Sequence, residues 1–153
     1  MAALEDLAPT TRQRLLDLDC PRYETTPFVA GRPLRERRVA IVTSAALVPR
    51  GEKPIPPGDN DFRALPASLS SGALVMSHVS VNFDRTGFQR DVNVVYPLDR
   101  LREMAAEGAI GSVADTHYAV MGASDPKAWG ELADGLVARL RQESVDAVLL
   151  TPV

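Results

Sequence analysis

Amphipathic helical segments alternate with short apolar runs in the second half of the chain, and this alternation constrains the fold most. Between Trp129 and Leu140 the apolar residues recur at helical spacing, as in a helix packed on a sheet. An apolar run at 145–151 follows, and another at 38–46 lacks the alternation of a half-exposed strand. We therefore predict an α/β fold with a mostly parallel sheet flanked by helices, a Rossmann-like layered arrangement.

The first 37 residues follow another pattern. Their leucines predict one or two short helices broken at Pro9, and three later prolines with Gly31 predict an irregular arm. We place the helix and irregular arm at 1–37 and the α/β domain at 38–153. Seven prolines and glycines between 47 and 66 predict a long loop without a regular element.

The segment 93–108 predicts a second helix. A short extended piece is expected at 93–96, and apolar residues then recur at helical spacing from Leu98 to Ala105. Pro97 suits the first position of this helix, and Gly108 can end it in a left-handed cap.

Composition excludes several classes of protein. The net charge of −3 gives no overall field that favours nucleic acid or an anionic membrane. No apolar run approaches the roughly 20 residues of a membrane span, and the N-terminus has no apolar signal region. Cys20 is the single cysteine, so no intrachain disulfide can form. We predict a cytoplasmic protein with no nucleic-acid or membrane partner.

One polar segment, 76–93, collects the residue types that bind small molecules. Loops of this composition between regular elements are common binding sites. The candidate substrate-binding residues are Asn82, Asp84, Arg85, Asp91 and Asn93. Arg85 suits a substrate carboxylate, since a guanidinium binds one through two hydrogen bonds, but it also suits a surface charge. Asp91 and Asn93 could instead tie the loop together.

The two histidines are the candidate catalytic residues. His78 and His117 both stand near the predicted carboxyl ends of strands, where ligands bind in open α/β sheets. Each could act as an acid, a base or a ligand, or be a core histidine bonded to the backbone. Two imidazoles with a carboxylate form a usable metal set. Their separations carry no metal signature, however, so we predict no metal and no bound cofactor in this chain.

The end of the last predicted strand is a further candidate position. The residues 150–153 (L-T-P-V) follow the strand core and would face the crevice at the carboxyl edge of the sheet. A site residue is expected at or just after this point. The α/β domain either ends naturally on a strand or is incomplete at its C-terminus.

Several stretches resemble one known family. They are V-A-I-V-T-S-A-A at 39–46, D-N-D-F-R-A-L-P at 59–66, V-M-S-H at 75–78, the long block at 84–114 containing P-L-D-R-L-R-E-M-A-A-E-G, T-H-Y-A-V-M-G at 116–122 and V-D-A-V-L-L-T-P-V at 145–153. In this order they resemble selenoprotein B of the glycine/sarcosine/betaine reductases and the selenoprotein subunit of D-proline reductase.

The resemblance implies a dithiol-linked oxidoreductase of amino-acid metabolism. In that family a selenocysteine or cysteine directly follows the last strand, and its selenolate attacks the α-carbon of an amino-acid-like substrate to cleave a C–N bond. The resemblance further implies partner reductase subunits, with a pyruvoyl group on one of them where the amine is primary or cyclic. Our hypothesis is that a UGA codon follows Val153 and was translated as a stop, so that the chain lacks its redox residue and is inactive alone.

Two interpretations from other classes stay open. One is a non-catalytic binding or oligomerisation module with the same fold; exposed apolar surface on an incomplete sheet would favour a homo-oligomer. The other is a metal-dependent enzyme or hydrolase that uses His78, Asp84 and His117.

Overall fold

The computed structural model describes residues 4–17, 22, 24–25, 29–80 and 84–153. The chain divides into two compact units, Met1–Ala30 and Gly31–Val153. The domain boundary that we predicted after residue 37 stays a prediction. In the first unit a 3-10 turn at Leu4–Asp6 precedes α1 (Pro9–Leu16), which begins at its proline, where a missing N–H costs no helical hydrogen bond.

All the strands in the described part of the chain belong to the second unit. In chain order they are β1 (Arg38–Thr43), β2 (Leu47–Pro49), β3 (Arg63–Pro66), β4 (Leu74–Met76), β5 (Ser112–Val113), β6 (Thr116–Ala119) and β7 (Ala147–Thr151). The helices of this unit are α2 (Thr86–Arg90), α3 (Leu98–Ala106) and α4 (Gly130–Gln142). Short 3-10 turns at Leu34–Glu36, Ser71–Ala73, Val92–Val94 and Pro126–Ala128 connect them.

β1 is the central strand of a five-stranded sheet. Its residue Val39 pairs with β5 on one side and with β7 on the other, and Val42 pairs in the same way with β6 and β7. All these pairings are parallel, whereas β3 pairs antiparallel with β6. β2 and β4 form a separate antiparallel pair. The predicted α/β fold with a mostly parallel sheet is confirmed.

Alternating residues of β1 pack on opposite faces of the sheet. Val39 and Ile41 lie in the larger core cluster, which also contains Leu98 and Leu101 of α3. Ala40 packs in a second cluster with Leu140 of α4. Because β1 is covered on both faces, its sequence is apolar at successive positions instead of alternating.

The segment 47–66 differs from the prediction of a loop without regular elements. It contains β2 and β3, because partners distant in sequence supply the pairing that local propensity does not favour. In the described part of the chain β3 pairs only with β6 and is therefore an edge strand. Pro66 ends this strand, where a proline without an N–H is tolerated. The prediction of an extended segment at 93–96 is also wrong, since Val92–Val94 forms a 3-10 turn.

The predicted C-terminal end of α3 is confirmed, and the helix begins one residue later than predicted. Pro97 stands immediately before its first residue. Gly108 has a φ of 73°, and Ala109 N–H donates to the carbonyl of Met104 in the turn that ends the helix. No helix among the described residues is long and apolar enough to cross a membrane.

Candidate functional site

A groove lies at the carboxyl edge of the parallel sheet. Its volume is about 300 Å³, and it is lined by Val42 and Ser44 from β1 and the residue after it, Val120 and Gly122 after β6, Leu150 to Val153 at the end of β7, and Trp129 before α4. We call it the carboxyl-edge groove. Ligands of open α/β sheets bind at this edge, where connections leave neighbouring strands for opposite faces. After β6 the chain continues into α4, and α3 and α4 pack in the core clusters on opposite faces of the sheet.

Ser44 fixes the backbone of Val153 at one end of the groove. Its hydroxyl accepts a hydrogen bond from Val153 N–H at 2.9 Å and donates to the Val153 carbonyl at 3.4 Å. Gly122 makes room for this side chain, because a Cβ there would lie 2.8–2.9 Å from three atoms of Ser44. Ser44 and Gly122 therefore help to fix the backbone where it leaves β7.

Trp129 supplies an unused hydrogen-bond donor at the groove. Its indole Nε1 is buried and has no hydrogen-bond partner among the residues that the structure describes. Most of the other lining side chains are apolar. An acceptor that reached this N–H, such as an anionic sulfur, selenium or oxygen atom, would gain a hydrogen bond that the described residues do not make.

His117 lies within the sheet, fully buried. Val39 pairs with Val113 and Val42 with Tyr118, so the β5–β6 side has two more residues than β1 over the same length. In the gap the Nδ1 atom of His117 accepts a hydrogen bond from Ile41 N–H at 3.0 Å. The two extra residues form a bulge in the ladder. The His117 side chain thus provides Ile41 N–H with the acceptor that a backbone carbonyl would supply in a regular ladder.

The chemistry of His117 follows from this burial. Loss of hydration lowers its pKa to about 4, and the nearby charge of Arg102 acts in the same direction. The imidazole is therefore neutral at pH 7, with its proton on Nε2, since Nδ1 accepts a hydrogen bond. Nε2 has no partner in the described part of the chain, and the ring lies edge-on to Tyr96 at a centroid distance of 5.6 Å. Its predicted catalytic role stays a prediction.

His78 stands beside the segment that follows β1, where Ser77 N–H donates to the carbonyl of Ala46. It is 7% exposed, and its Nδ1 accepts a hydrogen bond from Ser80 N–H at 3.2 Å. Arg85 donates through Nη2 to the carbonyls of His78 and Ser80. Burial, and then the charge of Arg85, lowers the pKa of His78.

Asp84 precedes Arg85 and interacts with the start of α2. Its Oδ1 accepts a hydrogen bond from Thr86 N–H at 2.8 Å. Hydrogen bonding by the side chain of Thr86, and then by its backbone N–H, holds the pKa of the carboxyl below its usual value. The structure thus brings together two of the predicted residues, His78 and Arg85. Arg85 holds the loop through carbonyl groups in this structure, and its substrate contact stays a prediction. Asn82 lies outside the described residues.

Asp91 and Asn93 form a second group at the start of α3. Asp91 Oδ1 accepts hydrogen bonds from both the backbone N–H and the side-chain amide of Asn93, at 2.9 Å each. Asn93 Oδ1 then accepts from Asp99 N–H at 3.1 Å, and thereby caps the helix. These bonds agree with the interpretation that the two residues tie the loop together; substrate binding by them stays a prediction.

One hydrogen bond joins this second group to the end of β7. The hydroxyl of Thr151 donates to the carbonyl of Val95 at 3.0 Å, which fixes the turn before α3 against the last strand. No sequence motif marks Ser44, Gly122 or Trp129 as site residues. The small residues at 43–46 were the available signal, because they leave space at the end of a strand.

Metal binding has no ligand set in the described part of the chain. No group of three or more His, Cys, Asp or Glu side chains among those residues is placed to hold a metal ion. His117 has one ring nitrogen bound to Ile41 N–H and lies fully buried within the sheet.

Comparison with known proteins gives several related subunits. The chain is 35% identical over 121 residues to the D-proline reductase subunit gamma of Acetoanaerobium sticklandii, covering 77% of this chain and 49% of that subunit. It is 30% identical over 143 residues to the glycine reductase complex component B subunit gamma of Carboxydothermus hydrogenoformans, covering 88% of this chain and 32% of that one. The chain spans about half or less of the length of these relatives.

A third relative is the betaine reductase complex component B subunit beta of Peptoclostridium acidaminophilum, 28% identical over 149 residues, with 88% of this chain and 32% of that subunit covered. No solved structure matches the chain. Residues 17–153 match the family described as glycine/sarcosine/betaine reductase selenoprotein B. The chain therefore belongs to the glycine/sarcosine/betaine reductase selenoprotein B family.

Proposed function

We propose that this chain is part of a reductase subunit that cleaves the C–N bond of a small amino-acid-like substrate, and that the reaction takes place at the carboxyl-edge groove. The observation that carries the proposal is the position of the groove. It lies at the carboxyl ends of three parallel strands, in a chain whose relatives are subunits of glycine, betaine, sarcosine and D-proline reductases.

The reacting atom belongs, in this proposal, to a selenocysteine or cysteine at the position after Val153. The family resemblance implies this residue, and the local structure is suited to it. Ser44 holds the Val153 backbone at the groove, and the Trp129 N–H lacks an acceptor there. A selenolate or thiolate is a soft anion that can accept this hydrogen bond, which would favour the ionised, nucleophilic form.

The selenocysteine would supply the nucleophile that attacks the α-carbon of the substrate. Residues of this chain would hold the backbone beside it, through Ser44, and donate a hydrogen bond to the anion, through Trp129. The apolar side chains of Val42, Val120 and Leu150 would limit water at the reacting carbon. The pyruvoyl group on a partner subunit, the partner subunits themselves and the cytoplasmic location stay predictions.

A chain extended by a cysteine after Val153 tests the proposal. We expect its thiol to react with iodoacetamide at pH 7 faster than a free cysteine, and substrate analogues in the groove to protect it. Glycine, sarcosine, betaine and proline are the probes. Cys20 is replaced by serine in every sample, so that only the added thiol is alkylated.

The matched control is the same extended chain with Trp129→Phe, which keeps an aromatic ring but removes the N–H. If the thiol reacts equally fast in both chains and none of the four probes slows it, the groove is not the reaction site. The gene gives an independent test: codon 154 should encode selenocysteine, as UGA, or cysteine.

The second candidate function is a non-catalytic oligomerisation module. One observation favours it: Val148, Leu149 and Leu150 of β7 are 38%, 38% and 68% exposed. Apolar side chains on a strand edge favour association with a second copy of the chain. Sedimentation velocity separates the two functions, since a dimer that Leu150→Lys disrupts, with no protection of the added cysteine, would support the module alone.

A further inference from the structure

A second cavity lies on the α3 face of the sheet and shares no lining residue with the carboxyl-edge groove. Its volume is about 240 Å³, and it lies between α3 and the segment that joins β3 to β4. Its polar lining residues are Ser70, Ser71, Tyr96, Asp99 and Arg102. We call it the α3 cavity. The function proposed above does not use any of these side chains.

Tyr96 lines this cavity and carries a hydroxyl group without a hydrogen-bond partner in the described part of the chain. The residue is only 3% exposed. Burial raises its pKa, so the group stays protonated and can donate. Buried hydroxyl groups are nearly always hydrogen-bonded, because an unmade bond costs the whole desolvation of the group.

Arg102 brings a positive charge to the same place. Its Nη1 lies 3.0 Å from Asp99 Oδ1, and its Nη2 donates to the carbonyl of Ala67. The guanidinium is close enough to Tyr96 and His117 to act on the pKa of both. A guanidinium has five N–H donors, so these two contacts do not exhaust it.

The balance of charge and donors defines the ligand. Tyr96 and Arg102 donate, and the two serine hydroxyls add donors at the rim, so the ligand must present oxygen acceptors. Asp99 pairs with Arg102, so these two charged lining residues carry no net charge, and the remaining donors, not a net positive charge, favour an acceptor with at most a single negative charge. A dianion would need a second cation, and none lines the cavity.

We propose that the α3 cavity binds a small carboxylate, with the Tyr96 hydroxyl and the Arg102 guanidinium donating to its oxygens. The planar guanidinium matches the spacing of the two carboxylate oxygens. This site is independent of the reaction proposed for the groove, and it would persist if that proposal failed.

An NMR titration of the chain with acetate tests the site. We expect saturable shifts of the backbone amides of Ser71 and Arg102, with sodium chloride at equal ionic strength as the reference. Tyr96→Phe removes one hydrogen bond to a charged group and should weaken acetate binding by about tenfold or more. It should not lower the melting temperature of the free protein, since the lost hydroxyl has no partner there.

Tyr118→Phe is the matched control. Tyr118 is also buried, but its hydroxyl donates to Glu143 at 2.7 Å, so this variant should lose stability and keep its affinity for acetate. The proposal is wrong if acetate gives no saturable shift, or if Tyr96→Phe binds it as well as the unchanged chain. It is also wrong if inorganic phosphate at pH 8 saturates the same amides at lower concentration than acetate, since the site then prefers a dianion.

Discussion

The two edges of β1 are in opposite environments. On one edge, three successive residues of β6 (His117, Tyr118 and Ala119) are buried, and the His117 side chain completes the hydrogen bonding of the ladder. On the other edge, β7 pairs with five successive residues of β1 but leaves Leu150 68% exposed. A change on the closed edge must be absorbed by packed neighbours, whereas a change on the open edge meets solvent.

The closed edge of β1 contributes to the stability of the fold, whereas the open edge is accessible to ligands and partners. The closed edge holds a neutral imidazole that a substrate cannot reach without local opening, because His117 is fully buried. The open edge carries the end of β7, where Ser44 and Trp129 face a groove. We therefore expect substitutions at the closed edge to change the free energy of unfolding and substitutions at the open edge to change association or chemistry.

His117→Ala should have the largest effect on stability. It leaves Ile41 N–H without an acceptor and opens a cavity inside the sheet, and together these should lower the free energy of unfolding by about 3–5 kcal/mol. Urea denaturation followed by circular dichroism measures the loss. His117→Asn, which keeps an acceptor, should lose less; equal losses would mean that the hydrogen bond to Ile41 contributes nothing.

Acid should destabilise the protein through the same histidine. The pKa of His117 is about 4 in the folded state and 6.5 in its ordinary environment, so between these values the unfolded chain binds more protons. Stability is therefore complete above pH 6.5 and is lost as the pH falls toward 4, by about 3 kcal/mol.

Urea denaturation at pH 7, 6, 5 and 4 measures this loss in the unchanged chain and in His117→Asn. The variant should show a shallower pH dependence. His78→Asn is the control, because it removes the other imidazole and keeps the contribution of His117. If the two variants have the same slope, the buried imidazole is not the source.

Gly111→Ala should have an intermediate effect. A Cβ at this position in the turn before β5 would lie 2.7 Å from the Glu36 carbonyl carbon and 2.9 Å from backbone atoms of Arg37. Backbone cannot move aside as a flexible side chain can, so we expect a loss of about 1–3 kcal/mol. Gly130→Ala is the control, since a Cβ there meets nothing within 4 Å. Equal melting temperatures for the two variants would contradict the close approach.

Leu150→Ser should have the smallest effect on the isolated chain. The side chain is already mostly exposed, so we expect a change in the free energy of unfolding within about 0.5 kcal/mol. Urea denaturation at low protein concentration measures it. A loss as large as that of Gly111→Ala would mean that the open edge of β7 is covered in solution, and the comparison between the two edges would then fail.

Much of the fold could be predicted from local patterns. The spacing of apolar residues predicted α3 and α4, Pro97 and Gly108 marked the ends of α3, and the apolar runs predicted β1 and β7. These signals are local, since helix ends depend on proline, glycine and capping groups within a few residues. β2 and β3 were missed, because their pairing depends on partners that are distant in sequence.

The candidate site was predictable only in part. Placing it at the carboxyl edge needed no more than the order of strands and helices. The polar cluster at 76–93 was predicted as one site, yet the described residues form two groups, one around His78 and one at the start of α3. The directions of the side chains decide which residues of the cluster meet. In loops these directions do not follow from the spacing of residues in the sequence.

The sequence by itself determined the family, the α/β class and the strand at whose end chemistry is expected, because motifs and periodicity are properties of neighbouring residues. Only the tertiary structure decided that Ile41 takes its acceptor from His117, that Ser44 holds Val153, and that Tyr96 and Arg102 meet in a second cavity. Each of these contacts joins residues far apart in the chain or on different elements. Such contacts depend on packing and register, which are set when the sheet and helices come together.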